Sequence, residues 1–230
     1  MKKNIFVSGA SRGIGRELAK IHLENGNNVF AISRNEEKLK ELKQFEKDSN
    51  FNYLTVDLAD FAALDQIPAA LTDWSHIDVL YNNAGVLVNK PFAQITENDI
   101  AYSLAVNYKA PFRLIQLLLN KMDGGSHIVN VTTMGAVQGT VKFPGLATYS
   151  SSKAGIITLT ELLAEEFDEN QPKINCVALG AVQTEMLEEA FPSYKAPLTA
   201  AEMAAYLYDF GLKGHHFQNG KTLQLSVSTP

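Results

Sequence analysis

NIFVSGASRGIGRELAK, running from Asn4 to Lys20, decides how the rest of this chain is read. An apolar run of strand length, Asn4–Ser8, enters a turn with glycines at 9, 13 and 15, and a segment of helical period follows. A strand that turns sharply into a helix is the first half of a βαβ unit. Glycine lets the backbone make that turn and approach a bound group with no Cβ in the way. The helix start then offers unpaired N–H groups and a positive dipole end to an anion. Gly9, Ser11, Arg12, Gly13, Ile14 and Gly15 thus form a candidate phosphate cradle. The spacing is GxxxGxG, not GxGxxG, and the competing reading is a tight turn with close helix–sheet packing.

Outward from this turn, strand-length apolar segments alternate with longer helical ones, which predicts a parallel sheet covered on both faces. Strands are expected near Asn4–Ser8, Asn28–Ile32, Tyr53–Val56, Asp78–Tyr81, His127–Thr132, Lys173–Ala178 and Thr222–Val227. Helices are expected over Gly13–Asn25, Glu36–Asp48, Phe61–Thr72, Asn98–Lys121, Tyr149–Phe167 and Ala200–Phe210. The fold class is α/β: one Rossmann-like, doubly wound domain of about seven strands over residues 1–230, with a substrate loop near 180–198. The two longest irregular stretches, Met134–Thr148 and Gly180–Leu198, both follow strands. They belong at the carboxyl edge of the sheet, where open α/β folds bind ligands.

The chain has 230 residues, 46% of them hydrophobic, which is enough for one substantial core. A net charge of −5 without a basic block argues against nucleic-acid binding. The lone Cys176 excludes an internal disulfide and fits a reducing compartment. The apolar run after Lys2 and Lys3 is too short for a signal peptide, and no run approaches a membrane span. A cytoplasmic protein with no membrane partner is the expectation.

The second strand ends Ala31-Ile32-Ser33-Arg34, without the acidic residue that takes a ribose 2′-hydroxyl. Arg34 and Arg12 instead suit a 2′-phosphate, which favours NADP(H) and leaves NAD(H) as the lesser option.

With these features in place, the sequence resembles the classical short-chain dehydrogenase/reductase family along nearly its whole length. The resemblance rests on the glycine turn, Asp57-Leu58, Asn82-Asn83-Ala84-Gly85, Asn107 and the Tyr149–Lys153 pair, all in order. It implies that Asp57 and Leu58 border an adenine ring, with the Asp57 carboxylate accepting from its amine. It also implies that Asn83, Ala84 and Gly85 line the cofactor cleft, and that Asn107 holds a water joining the lysine to solvent. Thr184 matches a threonine that contacts the nicotinamide carboxamide, with Val182 beside it.

The implied chemistry is hydride transfer between a nicotinamide cofactor and a small carbonyl or secondary alcohol. Tyr149 and Lys153 lie at i and i+4, on one face of a helix. A free phenol titrates near 10, and a neighbouring ammonium is expected to lower that value. Tyr149 then serves as general acid in reduction and as base in oxidation. The family places a serine about thirteen residues before the tyrosine, but Ala136 stands there. Aligning the strand instead puts Thr133 in the serine's place, with Thr132 as the fallback.

The loop residues Gln138, Lys142, Phe143 and Pro144 are expected at one pocket wall, and Met186, Leu187, Phe191 and Tyr194 in an apolar lid. Leu179-Gly180 replaces the family's proline–glycine pair, and the terminus Leu225–Pro230 also departs from it. The resemblance further implies a homodimer or homotetramer. Cys176 and Trp74 read as core, His215-His216 as a solvated connection, and no histidine has metal-site company. The alternative function is a non-catalytic NADP(H) sensor or scaffold on the same fold.

Overall fold

Seven parallel strands in the order β3-β2-β1-β4-β5-β6-β9 make up the central sheet of the computed structural model, which describes residues 2–227. The strands are β1 Asn4–Ser8, β2 Asn28–Ser33, β3 Phe51–Thr55, β4 Val79–Asn82, β5 His127–Thr133, β6 Lys173–Leu179 and β9 Thr222–Leu225. Between β6 and β9, the short strands β7 Val182–Gln183 and β8 Leu198–Thr199 pair with each other. The helices are α1 Gly13–Glu24, α2 Glu36–Lys40, α3 Ile67–Ala70, α4 Glu97–Leu104, α5 Ala110–Leu118, α6 Ala147–Glu166, α7 Glu185–Ala190 and α8 Ala200–Lys213. The expected α/β sheet is present, and each expected strand falls on an observed one. The last strand stops at Leu225, and Ser228, Thr229 and Pro230 lie outside the described residues.

Strand order reverses between β1 and β4, which opens a crevice at their carboxyl ends. The sheet has a hydrophobic cluster on each face. One contains Phe6, Phe30, Trp74, Leu114 and Ile156, and the other Ile5, Val7, Leu18, Tyr81 and Leu207. Cys176 is fully buried in the first cluster, as expected of a core residue. Because both faces are covered, the strands read as continuous apolar runs rather than alternating ones.

Three expected helices are broken. The segment Glu36–Asp48 is the short α2 followed by a 3₁₀ turn over Glu41–Phe45. The segment Phe61–Thr72 holds only a 3₁₀ turn and the one-turn α3 containing Pro68. The segment Asn98–Lys121 splits into α4, a π turn over Ala105–Lys109 and α5. Pro111 is the physical reason for the split. It lacks the N–H that would bond the Asn107 carbonyl four residues back, and its ring crowds that carbonyl. Among the described residues, no helix is long and apolar enough to cross a membrane.

Candidate active site

A cleft of about 700 Å³ runs along the carboxyl edge of the sheet, from Arg34 and Asp57 at one end to Tyr149 and Lys153 at the other. At its floor, Gly9 has φ +73°, and a Cβ there would fall 2.8 Å from Ala84 Cα. The turn after β4 is fastened to this glycine turn by two side chains. Ser8 Oγ accepts from the N–H groups of Asn83 and Ala84, both at 3.2 Å, and Asn83 Nδ2 donates to the Ser8 carbonyl at 3.1 Å. The first turn of α1 has no acidic residue, and the Arg12 side chain does not cap it. Its N–H donors are therefore available to an anion in the cleft.

Gly9, Ser11, Arg12, Gly13, Ile14, Arg34, Asp57, Leu58, Asn83, Ala84, Gly85, Val182 and Thr184 all line the cleft, as do Thr132, Thr133, Tyr149 and Lys153. Gly15 lies just behind, where a Cβ would strike the Gly9 carbonyl and the Asn83 amide. The length of the cleft, the glycine floor and the open helix start suit a dinucleotide.

The two arginines are held by different elements. The Arg12 fork grips Glu189 of α7 in a two-pronged ion pair, with Nη2 to Oε2 at 3.2 Å, and so spans the cleft. Arg34 donates from Nη1 to the Tyr102 hydroxyl of α4 at 2.7 Å. Beside it, Ser33 Oγ donates to Ser11 Oγ at 2.7 Å.

At the opposite end, Thr132 and Thr133 diverge as successive strand residues must. The Thr132 hydroxyl is buried and donates to the Lys153 carbonyl at 3.0 Å, fixing α6 on β5. Thr133 is half-buried at the strand end, and its Oγ1 accepts from the Gly135 N–H at 3.3 Å. That bond leaves the Thr133 proton free to be donated.

Lys153 is 3% exposed, and its ammonium donates to the carbonyls of Val131 at 2.8 Å and Ala84 at 3.2 Å. Burial pushes its pKa down to about 8. Tyr149, one turn earlier, is pushed up to about 12 by loss of water around its phenol. This corrects the expected downward shift. The lysine is anchored on backbone carbonyls, and desolvation dominates the phenol.

Asn107 is fully buried, and its amide is spent on protein groups. Its Oδ1 accepts from Val86 N–H at 2.9 Å, while Nδ2 donates to the Val86 carbonyl at 2.9 Å and to Ser152 Oγ at 3.0 Å. The side chain thus ties the β4 turn to α6. Pro111, four residues on, has no N–H to offer the Asn107 carbonyl.

All four expected lid residues, Met186, Leu187, Phe191 and Tyr194, face the cleft. Of the four loop residues expected at the pocket wall only Phe143 does so; Lys142 instead folds back to donate to Thr140 Oγ1 at 3.0 Å, within its own loop. Sequence reasoning missed Tyr102, Met134, Leu146 and Glu189 as cleft residues. Met134, Leu146 and Glu189 lie in the two irregular stretches expected at this edge, whereas no local pattern pointed to Tyr102.

Comparison with known proteins places this arrangement. The family model described as short chain dehydrogenase matches residues 3–195. A dehydrogenase/reductase SDR family member 6 from Danio rerio is 31% identical over 198 residues, covering 85% of this chain and 77% of that protein. An acetoacetyl-CoA reductase from an Acinetobacter species is 31% identical over 215 residues, covering 89% and 86%. A short-chain dehydrogenase of Shigella flexneri, solved with NADP, superimposes with a TM-score of 0.87 at 25% identity, covering 96% of each chain. The match extends over most of the sequence, and the chain belongs to the short-chain dehydrogenase family of oxidoreductases.

Proposed function

We propose that this protein is an NADP(H)-dependent oxidoreductase that interconverts a carbonyl and a secondary alcohol, with Tyr149 as the general acid and base. The observation that carries the reading is the cleft itself, which joins a phosphate cradle with Arg34 at one end to Tyr149, Thr133 and Lys153 at the other. The nicotinamide, when bound, supplies or accepts the hydride.

In the reducing direction Tyr149 gives its proton to the carbonyl oxygen as that oxygen gains charge. Thr133 donates a second hydrogen bond to the same oxygen and orients it. Lys153 places a positive charge under the cofactor end of the cleft, and the Asn107 carbonyl offers a perch for a water that returns the proton. A phenol near 12 holds its proton at neutral pH, which suits the acid role. Phe143, Met186, Leu187 and Phe191 give the substrate end an apolar wall, which favours a carbonyl flanked by hydrocarbon.

The relatives' names support the reaction type, since one is a reductase of an acyl-CoA ketone. The reading includes a homo-oligomer, for which the exposed Phe92, Ile100 and Leu104 beside α4 offer an apolar face. Consumption of NADPH against a panel of ketones and aldehydes tests the proposal, with Tyr149→Phe alongside. Turnover should fall by about 100-fold or more in the variant. Unaltered turnover would remove Tyr149 from the mechanism.

A further inference from the structure

We propose that Tyr102 determines cofactor specificity as a positioning residue, by holding the Arg34 guanidinium at the mouth of the cleft to receive a 2′-phosphate. The inference rests on the NADP(H) reading and assigns the 2′-phosphate site to Arg34, Ser11 and Ser33, without Arg12.

Three observations carry it. First, the Arg12 fork is committed to Glu189 across the cleft, with both terminal nitrogens engaged. That leaves Arg34 as the guanidinium with no carboxylate on it among the described residues beside the adenosine end, where Asp57 and Leu58 also lie. Second, the partner holding Arg34 is a neutral phenol at 2.7 Å. A carboxylate there would cancel the charge; a phenol fixes direction and leaves the charge for a dianion. Third, the Ser11 and Ser33 hydroxyls meet at 2.7 Å next to Arg34, adding polar groups of the size a phosphate engages.

Arg34 is exposed, and an unrestrained arginine side chain loses much rotamer freedom when it binds. Tyr102 removes part of that freedom beforehand, since it stands on α4 and reaches Arg34 across the crevice between β1 and β4. One terminal nitrogen is used for this, and the remaining N–H groups stay open for two-pronged phosphate binding.

The test uses adenosine 2′,5′-bisphosphate and adenosine 5′-monophosphate as probes, titrated calorimetrically into the full-length protein, so that no turnover is needed. The wild type should prefer the bisphosphate. Tyr102→Phe should shrink that preference about fivefold with monophosphate affinity unchanged, and the change should vanish in an Arg34→Ala background. A wild type indifferent to the 2′-phosphate would overturn the NADP(H) reading and this inference with it. A wild-type preference that Tyr102→Phe leaves intact would overturn the role of Tyr102 alone. So would an equal loss for both probes, which marks a merely structural tyrosine.

Discussion

The Lys153 ammonium rests on the Val131 carbonyl at 2.8 Å, so the helix bearing Tyr149 is pinned to the strand bearing Thr133 by a group that can itself titrate. With a pKa near 8, Lys153 is charged at neutral pH and loses its proton within the working range of most assays. An anionic dinucleotide is attracted only to the charged form. Affinity for NADPH is therefore expected to weaken as pH rises from 7 to 9. Lys153→Met should bind more weakly throughout and show a flatter profile. Fluorescence titration of NADPH at several pH values checks this.

The two neighbouring threonines separate by role. Thr133→Val removes a hydroxyl at the cleft and should lower kcat/KM by about 10- to 100-fold with little change in stability. Thr132→Val removes a buried hydrogen bond from β5 to the Lys153 carbonyl, which keeps its helical donor, and should cost about 1 kcal/mol of stability. Urea unfolding and steady-state kinetics on both variants distinguish this outcome from the reverse assignment.

Acid should destabilise the fold through two buried histidines remote from the chemistry. His22 lies between Asn27 and Tyr81, both at 3.1 Å. An amide N–H can only donate, so Nδ1 accepts from Asn27 and Nε2–H donates to Tyr81. His127 donates from Nδ1 to the Gly211 carbonyl and accepts at Nε2 from Asn175, both at 3.0 Å. Burial pushes the two down from 6.5, to about 3 and about 4. Below pH 6.5 the unfolded chain binds protons that the folded one refuses, so stability falls as pH drops. Each histidine should contribute about 1.4 kcal/mol per pH unit until its folded pKa is reached, and nothing to the slope above pH 7. Denaturant unfolding at pH 7.5, 5.5 and 4.5 measures it, and His127→Gln should flatten the slope.

The parts of this molecule written into short stretches of sequence were legible there. The glycine turn, the continuous apolar strands and the four-residue spacing of Tyr149 and Lys153 are local patterns, and each maps onto the element expected of it. Strand alignment pointed to Thr133 over Thr132, and the two hydroxyls do take different partners, Gly135 N–H and the Lys153 carbonyl. What was hidden depends on groups distant in sequence. Arg12 and Glu189 are 177 positions apart, Arg34 and Tyr102 are 68 apart, and no local pattern announces either pair. The phenol shift was misjudged because spacing gives the neighbour but not the water lost around the ring. The broken helix is different, since Pro111 stood in plain view.

That proline provides the last test. Pro111→Ala restores an N–H four residues after Asn107, so a regular α-helix can form across Ala105–Lys109 and occupy the Asn107 carbonyl. Closing the π turn also rotates the Asn107 amide away from Val86 and Ser152, which it joins at 2.9 and 3.0 Å. Helix propensity favours alanine, but unpairing a buried amide costs about 1–3 kcal/mol, so the variant should fold with a lowered melting temperature. If the carbonyl serves proton return to Lys153 and Tyr149, kcat should fall about tenfold while NADPH affinity holds. A solvent isotope effect on kcat should grow in the variant, as proton delivery becomes slower. Unchanged kcat, with the helix shown by a crystal structure to be regular, would mean that the π turn serves packing and the proton travels another way.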